Sequence, residues 1–370
     1  MESLFWVSTL VVLYVYAGYP ALLAIWARVA GRPARKRLPG DARPWPSLSI
    51  IVAARNEAAR LPGRIANLLE LSYDGPREIV VVSDGSTDGT AEVLRPFKPW
   101  LRLIEVPEGG KPRALNAGVA AATGDILVFA DARQRFGRNA LRELAANFVD
   151  PEVGGVTGEL VLDCEAETCD AGSTIADGVG AYWKYEKWLR RNEALVRSTL
   201  GATGAIYALR RELWQPLPAE TLLDDVLAPI RAVLAGFRVA FDDTALALDS
   251  TPPDAATEAR RKRRTLAGNY QILALEPRLL LPFVNPVWLQ YVSHKFGRLL
   301  VPWALLGVFV ASAWLSSRHW FYAVATIAQL LFYGLAVLGA WFEARDRSVG
   351  GAPDGAPGVA PVRMAKGRPS

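Results

Sequence analysis

The central part of the sequence predicts an α/β domain with a mixed, mostly parallel sheet, and both ends predict transmembrane helices. Short apolar, β-branched runs alternate with helical patterns between residues 46 and 275, which is typical of parallel βαβ units. An apolar run opens the chain and two more follow the central region. Each is compatible in length with a bilayer core of roughly 30 Å.

The first transmembrane helix is predicted over residues 1–28. Its apolar run, from Leu4 to Ala27, contains no charge and is followed by arginines and a lysine. A cleaved signal peptide would have a basic start and a shorter apolar core, so we expect an uncleaved anchor. The basic linker at 29–45 then lies on the cytoplasmic side, where it attracts anionic lipid.

A two-helix transmembrane hairpin is predicted over 299–342, with a link of four residues at 316–319. Residues 276–298 are expected to lie along the membrane interface. The tail at 343–370, rich in Gly, Pro and Ala, is expected to be disordered. Because Lys295, Arg298, Arg345 and Arg347 fall on the same side as the basic linker, we expect a cytoplasmic catalytic domain on a bacterial inner or plasma membrane.

Composition excludes several other classes of protein. The net charge of +5 comes from 42 basic and 37 acidic residues, and the basic clusters are not interleaved with aromatics as in a nucleic-acid groove. We therefore expect no nucleic acid as a partner. The two cysteines, Cys164 and Cys169, are too few for a disulfide scaffold.

Polar clusters follow four predicted strands, at 48–53, 78–82, 101–106 and 126–130. Helical patterns separate the strands, at 61–69, 87–94 and 112–122. In open α/β sheets ligands bind at the carboxyl ends of the strands. The candidate segments are therefore Arg55-Asn56-Glu57, Ser83 to Thr90, Gly109 to Asn116 and Asp131-Ala132-Arg133.

Taken in order, these segments resemble motifs of the membrane-bound family 2 glycosyltransferases of the GT-A fold. That family includes cellulose, hyaluronan and poly-N-acetylglucosamine synthases. The first segment is similar to its A-x-N-E strand end, the second to D-D-G-S-x-D-x-T with Ser83 for the first aspartate, and the third to G-K-x-x-A-L-N. The resemblance spans about Trp45 to Gln271. It implies a Rossmann-like GT-A domain at 46–275 and inverting transfer from a nucleotide-diphosphate sugar, by family expectation a UDP-sugar.

The resemblance implies donor-binding roles for Glu57, Asp84, Lys111, Asp131 and Arg264. Glu57 and Asp84 would accept hydrogen bonds from the nucleoside, whereas Lys111 and Arg264 would neutralise the diphosphate. Each has a simpler alternative. Lys111 suits a solvated surface, Asp131 a strand-end turn, and Arg264 a basic patch at the membrane surface. Asp84 suits a turn, and Glu57 suits the start of a helix.

Asp131 is also the expected ligand of Mg²⁺ or Mn²⁺, which would neutralise the leaving diphosphate. The family has an Asp-x-Asp pair at this strand end, but Arg133 occupies the second position here. Metal dependence is therefore left open, and Arg133 could replace part of the metal's charge.

The acceptor side and the general base are predicted further along the chain. The small residues from Gly201 to Ala208 resemble the family's acceptor loop, so Gly204, Ala205 and Trp214 are expected to bind the acceptor. Asp225 falls at the position of the catalytic carboxylate, with Asp224 in support. The alternative is that both aspartates cap the helix that follows.

Three hypotheses follow for the activity. The first is polysaccharide synthesis on a glycan acceptor. The second is transfer of one sugar to a lipid-linked acceptor, favoured because Thr265 stands where the family has tryptophan and because three membrane segments leave little wall for a polymer channel. The third is a non-catalytic membrane scaffold with a decayed site. Expected partners are the donor, the acceptor, membrane lipid, and a second copy of the chain or a membrane subunit.

Overall fold

The computed structural model describes residues 1–38, 40–162, 174–249 and 255–349. Its strands are β1 Leu48–Ala54, β2 Arg77–Asp84, β3 Arg102–Val106, β4 Ile126–Ala130, β5 Arg135–Phe136, β6 Val153–Leu162, β7 Ile206–Arg210 and β8 Arg238–Asp249. Its α-helices are α1 Glu2–Leu13, α2 Tyr19–Ala30, α3 Leu61–Glu70, α4 Thr90–Val93, α5 Lys111–Ala121, α6 Ala140–Ala146, α7 Thr174–Val196, α8 Asp224–Leu234, α9 Ala255–Leu275, α10 Trp288–Gln290, α11 Gly297–Leu315 and α12 Trp320–Val349.

Among the described residues these strands form one mixed sheet in the order β3-β2-β1-β4-β7-β6-β8-β5. The pairs β2–β3, β1–β2, β1–β4 and β6–β8 are parallel, whereas β7 runs antiparallel to both β4 and β6. This confirms the mixed α/β sheet expected from the sequence. The parallel strands end at one edge, where the polar clusters were predicted.

Helices cover both faces of the sheet. Ile50 and Val52 of β1 join a core with α3, whereas Ile51 points to the other face and joins a core with α8. This alternation follows from the two-residue period of a strand. The continuous apolar sequence of β1 therefore reflects burial on both sides.

Two predicted elements differ in extent from the structure. The helix expected over 87–94 is confined to α4, because Gly89 precedes it at φ +79° and a 3₁₀ turn, Arg95–Phe97, follows it. The tail expected to be disordered from 343 is helical as far as Val349, the end of α12. The rest of that tail and both cysteines lie outside the described residues.

Three helices in the described ranges are long and apolar enough to cross a membrane, at Glu2–Ala30, Trp288–Leu315 and Trp320–Gly339. The first and second each include a π-helical segment, Tyr14–Gly18 and Tyr291–Phe296. The second begins at Trp288, so it takes in part of the region expected to lie along the interface. Only a 3₁₀ turn, Pro277–Leu280, precedes it there.

The chain divides into two compact units. The larger, Leu10–Ala304, contains the sheet. The smaller joins Met1–Thr9 to the chain from Leu305 onward, and Phe5 packs edge-on against Phe321 and Tyr322, with ring centroids 5.8 and 5.0 Å apart. Within this unit Thr326 Oγ1 donates a hydrogen bond to Ser312 Oγ over 3.0 Å.

Candidate active site

Lys111 lies at the centre of the predicted site, between two carboxylates from distant parts of the chain. Its Nζ is 3.1 Å from Asp131 Oδ1, after β4, and 3.2 Å from Asp224 Oδ2, at the start of α8. Burial alone would lower the pKa of Lys111, but the charges of Asp131, Asp224 and Asp225 raise it above the ordinary value. Lys111 is therefore a fixed cation among three carboxylates.

Asp84 holds the loop that carries Lys111. The backbone amides of Gly109 and Gly110 donate to Asp84 Oδ1 and Oδ2 over 2.7 and 2.9 Å, and the side chain is 3% exposed. Gly110 has φ +84°, a conformation that favours glycine. The carboxylate expected to meet the nucleoside is thus engaged by backbone amides, and it positions Lys111.

Glu57 lies where hydrogen bonds join the loop after β1 to the loop after β2. Its amide donates to Thr90 Oγ1 over 3.1 Å, and Thr87 N donates to Asn56 Oδ1 over 2.8 Å. Asn56 has φ +54°, a conformation that asparagine tolerates better than most residues. The Glu57 carboxylate itself pairs with Arg60 at 2.8 Å, near the start of α3.

Asp225, in the first turn of α8, faces the glycine-rich loop before β7. Its backbone oxygen accepts a hydrogen bond from Ala202 N over 2.8 Å. A Cβ atom built on Gly204 would lie 2.9 Å from Asp225 Oδ2. Burial, and then the neighbouring charge of Asp224, raise the pKa of Asp225 to about 6. A carboxylate with this pKa can both hold and release a proton near neutral pH.

An aromatic stack lies behind the carboxylates. Phe129 of β4 stacks on Tyr207 of β7 at 4.5 Å and on Trp214 at 5.1 Å between ring centroids. Tyr207 is 1% exposed, and its hydroxyl has no hydrogen-bond partner among the described residues. Burial, and then the charges of Asp224 and Asp225, raise its pKa well above the ordinary value, so this hydroxyl is neutral.

Helix α9 supports the start of α8. Arg264 Nε and Nη2 donate to the Leu222 carbonyl over 3.2 and 2.8 Å. Gln271 accepts from Leu222 N over 2.8 Å and donates to Glu220 O over 2.7 Å. Arg264 is exposed, and its guanidinium binds the backbone two residues before Asp224.

Arg133, at the second position of the Asp-x-Asp segment, pairs with a carboxylate that the sequence did not single out. Its Nη2 is 2.5 Å from Oδ2 of Asp249, the last residue of β8, which is 3% exposed. Gln134 Nε2 donates to the same oxygen over 3.1 Å. The charge of Arg133 is thus balanced within the protein, which weakens the idea that it stands in for a metal.

The structure brings Lys111, Asp131, Asp224 and Asp225 together, with Asp84 behind the loop of Lys111 and Gly204 against Asp225. Ala205, expected to contact the acceptor, is 5% exposed and belongs to the apolar core. No group of three or more histidine, cysteine, aspartate or glutamate side chains suited to a metal occurs in the described ranges.

Sequence reasoning gave no site role to Tyr207 or Asp249, nor to Arg190 and Lys295, whose charges act on Asp225. The only feature of the sequence that could have indicated a site role for Tyr207 is its position inside the glycine-rich segment from Gly201 to Ala208. Asp249 is 116 residues from its partner Arg133, so only the folded sheet reveals the pair.

The chain is similar in sequence to glycosyltransferases. The family described as glycosyl transferase family 2 matches residues 49–215. An N-acetylglucosaminyltransferase of Rhizobium meliloti (strain 1021) is 31% identical over 156 residues, 40% of this chain and 37% of that protein. A poly-β-1,6-N-acetyl-D-glucosamine synthase of Staphylococcus aureus (strain COL) is 23% identical over 236 residues, 61% of this chain and 55% of that protein. The chain thus spans about a third to a half of these relatives' length.

A solved structure shares the fold over nearly the whole chain. It is the mannosyltransferase PcManGT from Pyrobaculum calidifontis, in complex with GDP-Man and Mn²⁺. The TM-score is 0.67 at 23% identity, over 92% of this chain and 96% of the other. The chain therefore shares the fold of this mannosyltransferase, and its residues 49–215 are similar to glycosyl transferase family 2.

Proposed function

We propose that this chain is an inverting glycosyltransferase that moves a sugar from a nucleotide-diphosphate sugar to an acceptor hydroxyl. The supporting observation is the convergence of Lys111, Asp131, Asp224 and Asp225 at one place, although they come from three separate segments of the chain. A cation flanked by carboxylates, beside a carboxyl with a pKa of about 6, combines diphosphate binding with a general base.

In the proposed step Asp225 takes the proton from the acceptor hydroxyl as its oxygen attacks the anomeric carbon of the donor. The new bond joins that oxygen to the anomeric carbon. The bond between the anomeric carbon and the diphosphate breaks, and the nucleoside diphosphate leaves with the electron pair. Lys111 stabilises the negative charge that develops on the leaving group. Attack from the face opposite the leaving group inverts the anomeric centre, and a single carboxylate suffices because the diphosphate needs no proton.

Donor binding is assigned to the strand-end loops. Asp84 fixes the Gly109-Gly110 backbone and thereby the position of Lys111, and Glu57 lies at the neighbouring loop. Arg264 is within reach of the site through its contact with Leu222, three residues before Asp225. We assign Arg264 to the departing diphosphate, for which its guanidinium would exchange the Leu222 carbonyl for phosphate oxygens.

A divalent cation fits this site with protein ligands from Asp131 and Asp224. The Oδ2 atom of Asp224 is buried and accepts no hydrogen bond, although Lys111 lies at ion-pair distance. Mg²⁺ is commonly held by one or two carboxylates plus substrate phosphates, so three protein ligands are not required. Bound there, Mg²⁺ or Mn²⁺ would neutralise charge on the diphosphate.

The donor is proposed to be a UDP-sugar. The relatives named as N-acetylglucosaminyltransferases support an N-acetylhexosamine, whereas the structural neighbour contains GDP-Man. A screen of nucleotide sugars for released nucleoside diphosphate, with and without Mg²⁺ or Mn²⁺, tests this assignment. Release with a UDP-sugar above all others is expected, and release of no nucleoside diphosphate with any donor would support a non-catalytic scaffold.

The acceptor is proposed to be a glycan or a lipid-linked acceptor at the cytoplasmic face of a membrane. The three apolar helices and the basic segment that follows the first support this location. Product size, measured with purified protein and radiolabelled donor, separates the two acceptors. A ladder of lengths indicates a polysaccharide synthase, and one added sugar on an extractable lipid indicates glycolipid synthesis.

A further inference from the structure

A cluster of charged side chains lies between α7 and the second apolar helix, outside the site described above. Arg298 Nη2 is 2.6 Å from Glu186 Oε1, and His294 Nδ1 is 2.6 Å from Glu193 Oε1. Tyr19 donates its hydroxyl hydrogen to the same Glu193 oxygen over 2.9 Å. The two acidic residues of this cluster are therefore already engaged.

Two cations of the same cluster have no such partner. Arg190 lies on α7 between Glu186 and Glu193 in sequence, and Lys295 follows His294. Both are half-buried, and no carboxylate in the described part of the chain lies within ion-pair distance of either. The Cζ atom of Arg190 lies 6.0 Å from the ring centroid of Phe241. Cations removed from water are costly unless an anion accompanies them.

The helices that carry these two cations are connected to the segment that contacts the proposed base. Gln290 Nε2 donates to the carbonyls of Glu193 and Ser198 over 3.0 and 3.2 Å, which fixes the second apolar helix against the end of α7. The chain continues from Ser198 to Ala202, which contacts Asp225. The positive charge of Lys295 offsets part of the rise in the pKa of Asp225. Burial lowers the pKa of Arg190, and nearby carboxylates, including Asp225, offset part of that effect.

The surroundings of the cluster are apolar on one side. A cavity of about 230 Å³ is lined by Trp26, Phe283, Val287, Trp288 and Gln290. Gln290 thus belongs both to the cavity and to the contact with α7. Leu281, Phe283 and Val284 of the same segment are exposed, so an apolar surface suited to an alkyl chain adjoins the helix that carries Lys295.

We propose that Arg190 and Lys295 bind the phosphate group of a lipid-linked acceptor and so place its hydroxyl beside Asp225. The proposal rests on the proposed function and specifies its acceptor. An arginine and a lysine together suit phosphate, because the guanidinium offers two parallel donors and the ammonium a compact charge. The phosphate anchors the acceptor, and the attacking hydroxyl is a separate group on the same molecule.

Binding of dodecyl phosphate to the full-length protein in dodecyl maltoside micelles tests the proposal. Dodecanol controls for the alkyl chain, and inorganic phosphate for a site that takes the free anion. We expect dodecyl phosphate to bind at least about 10-fold more tightly than either, a difference of about 1.4 kcal/mol. Equal binding of dodecanol would overturn the phosphate site, and equal binding of inorganic phosphate would overturn the lipid acceptor.

Variants locate the binding site. We expect Arg190→Gln and Lys295→Gln each to weaken dodecyl phosphate binding about 10-fold, whereas Arg190→Lys retains most of it. Arg191→Gln is the matched control, since Arg191 is the next residue of α7, is exposed and pairs with Asp243. Unchanged binding in both Gln variants, or the same loss in the control, would overturn the proposal.

Hydrolysis of the donor by water separates this proposal from the proposed function. At pH 8, where Asp225 is ionised in every variant, both Gln variants are expected to lose much less of the donor hydrolysis than of the dodecyl phosphate binding, and the retained hydrolysis shows that they are folded. A wild-type protein that releases none would contradict glycosyl transfer and leave the binding result to stand by itself. Equal loss of donor hydrolysis and of dodecyl phosphate binding would place the two cations at the donor and overturn the acceptor assignment.

Discussion

Gly204 lies directly against the carboxylate of Asp225, where an added Cβ atom would be 2.9 Å from Oδ2. We expect Gly204→Ala to displace that carboxylate and to lower the transfer rate by about 10- to 100-fold, since small displacements of a catalytic group are costly. Release of nucleoside diphosphate measures the effect. Gly63→Ala is the control, because nothing lies within 4 Å of its added Cβ; an equal loss in both variants would contradict the assignment.

Replacing the proposed base removes the proton acceptor. We expect Asp225→Asn to lower transfer by about 10²- to 10⁴-fold, with donor binding retained because Lys111 and Asp131 are intact. Transfer assays and nucleotide titration separate the two effects. Asp243→Asn, a carboxylate of β8 that pairs with Arg191, should remain active, and a fully active Asp225→Asn would exclude Asp225 as the base.

The raised pKa of Asp225 predicts the pH dependence of the rate. Because the base must be ionised and its pKa is about 6, kcat/KM should be constant at higher pH. It should fall about tenfold per pH unit below 6. The residual rate of Asp225→Asn should lack this limb. A wild-type rate that stays constant down to pH 4 would argue against Asp225.

The raised pKa of Asp225 also makes the stability of the fold depend on pH, in the direction opposite to the rate. The folded protein holds the Asp225 proton more tightly than the unfolded chain, whose carboxyl has a pKa of 3.8. The contribution of this group to stability is therefore greatest below about pH 4 and is lost as the pH rises to 6. We expect Asp225→Asn to melt at a higher temperature than the wild type at pH 8. A lower melting temperature would contradict the assigned direction of the shift.

Lys111 is expected to matter for both donor binding and stability. Lys111→Gln should raise KM for the donor, because one positive charge at the diphosphate is lost. It also leaves the buried carboxylate of Asp224 without its cation, which should cost about 1–3 kcal/mol in the free energy of unfolding. Lys98→Gln, an exposed site, is the control, and an unchanged KM in Lys111→Gln would remove Lys111 from the donor site.

Arg133 and Asp249 should behave as a coupled pair. Arg133→Met leaves the buried carboxylate of Asp249 uncompensated, and we expect a loss of roughly 3 kcal/mol in unfolding free energy. Combining it with Asp249→Leu should recover most of that loss. Denaturant unfolding of the single and double variants measures the coupling, and additive losses would indicate that the ion pair contributes nothing.

Local patterns were sufficient to predict the parallel half of the sheet. The strand expected over 126–130 has those bounds, and β1 and β2 extend only slightly beyond the predicted runs. Their apolar sequences are determined by burial on both faces, which a sequence reports directly. The start of α4 is set by the conformation of Gly89, and its end by the 3₁₀ turn that follows. The helical pattern over 87–94 therefore predicted a helix that was too long.

The site was predictable where motifs follow strands and not where partners are distant. Lys111 follows β3 and Asp131 follows β4, and both strands end at the same edge of the sheet, although β2 and β1 lie between them. The engagement of Asp84 by two loop amides was not visible, because it depends on the path of the backbone at Gly109 and Gly110. The pairing of Arg133 with Asp249 depends on β8 reaching the same edge through β6.

The order of the sheet has a consequence for how the protein can be divided experimentally. The segment that matches the family ends at residue 215, yet β8 lies inside the sheet, between β6 and β5. A fragment cut at 215 would expose the inner edge of β6 and would also lack Asp224 and Asp225. The recognisable motifs are therefore not an autonomous module, and minimal versions of this protein must retain the chain at least through α9, whose Arg264 and Gln271 hold the segment before the base.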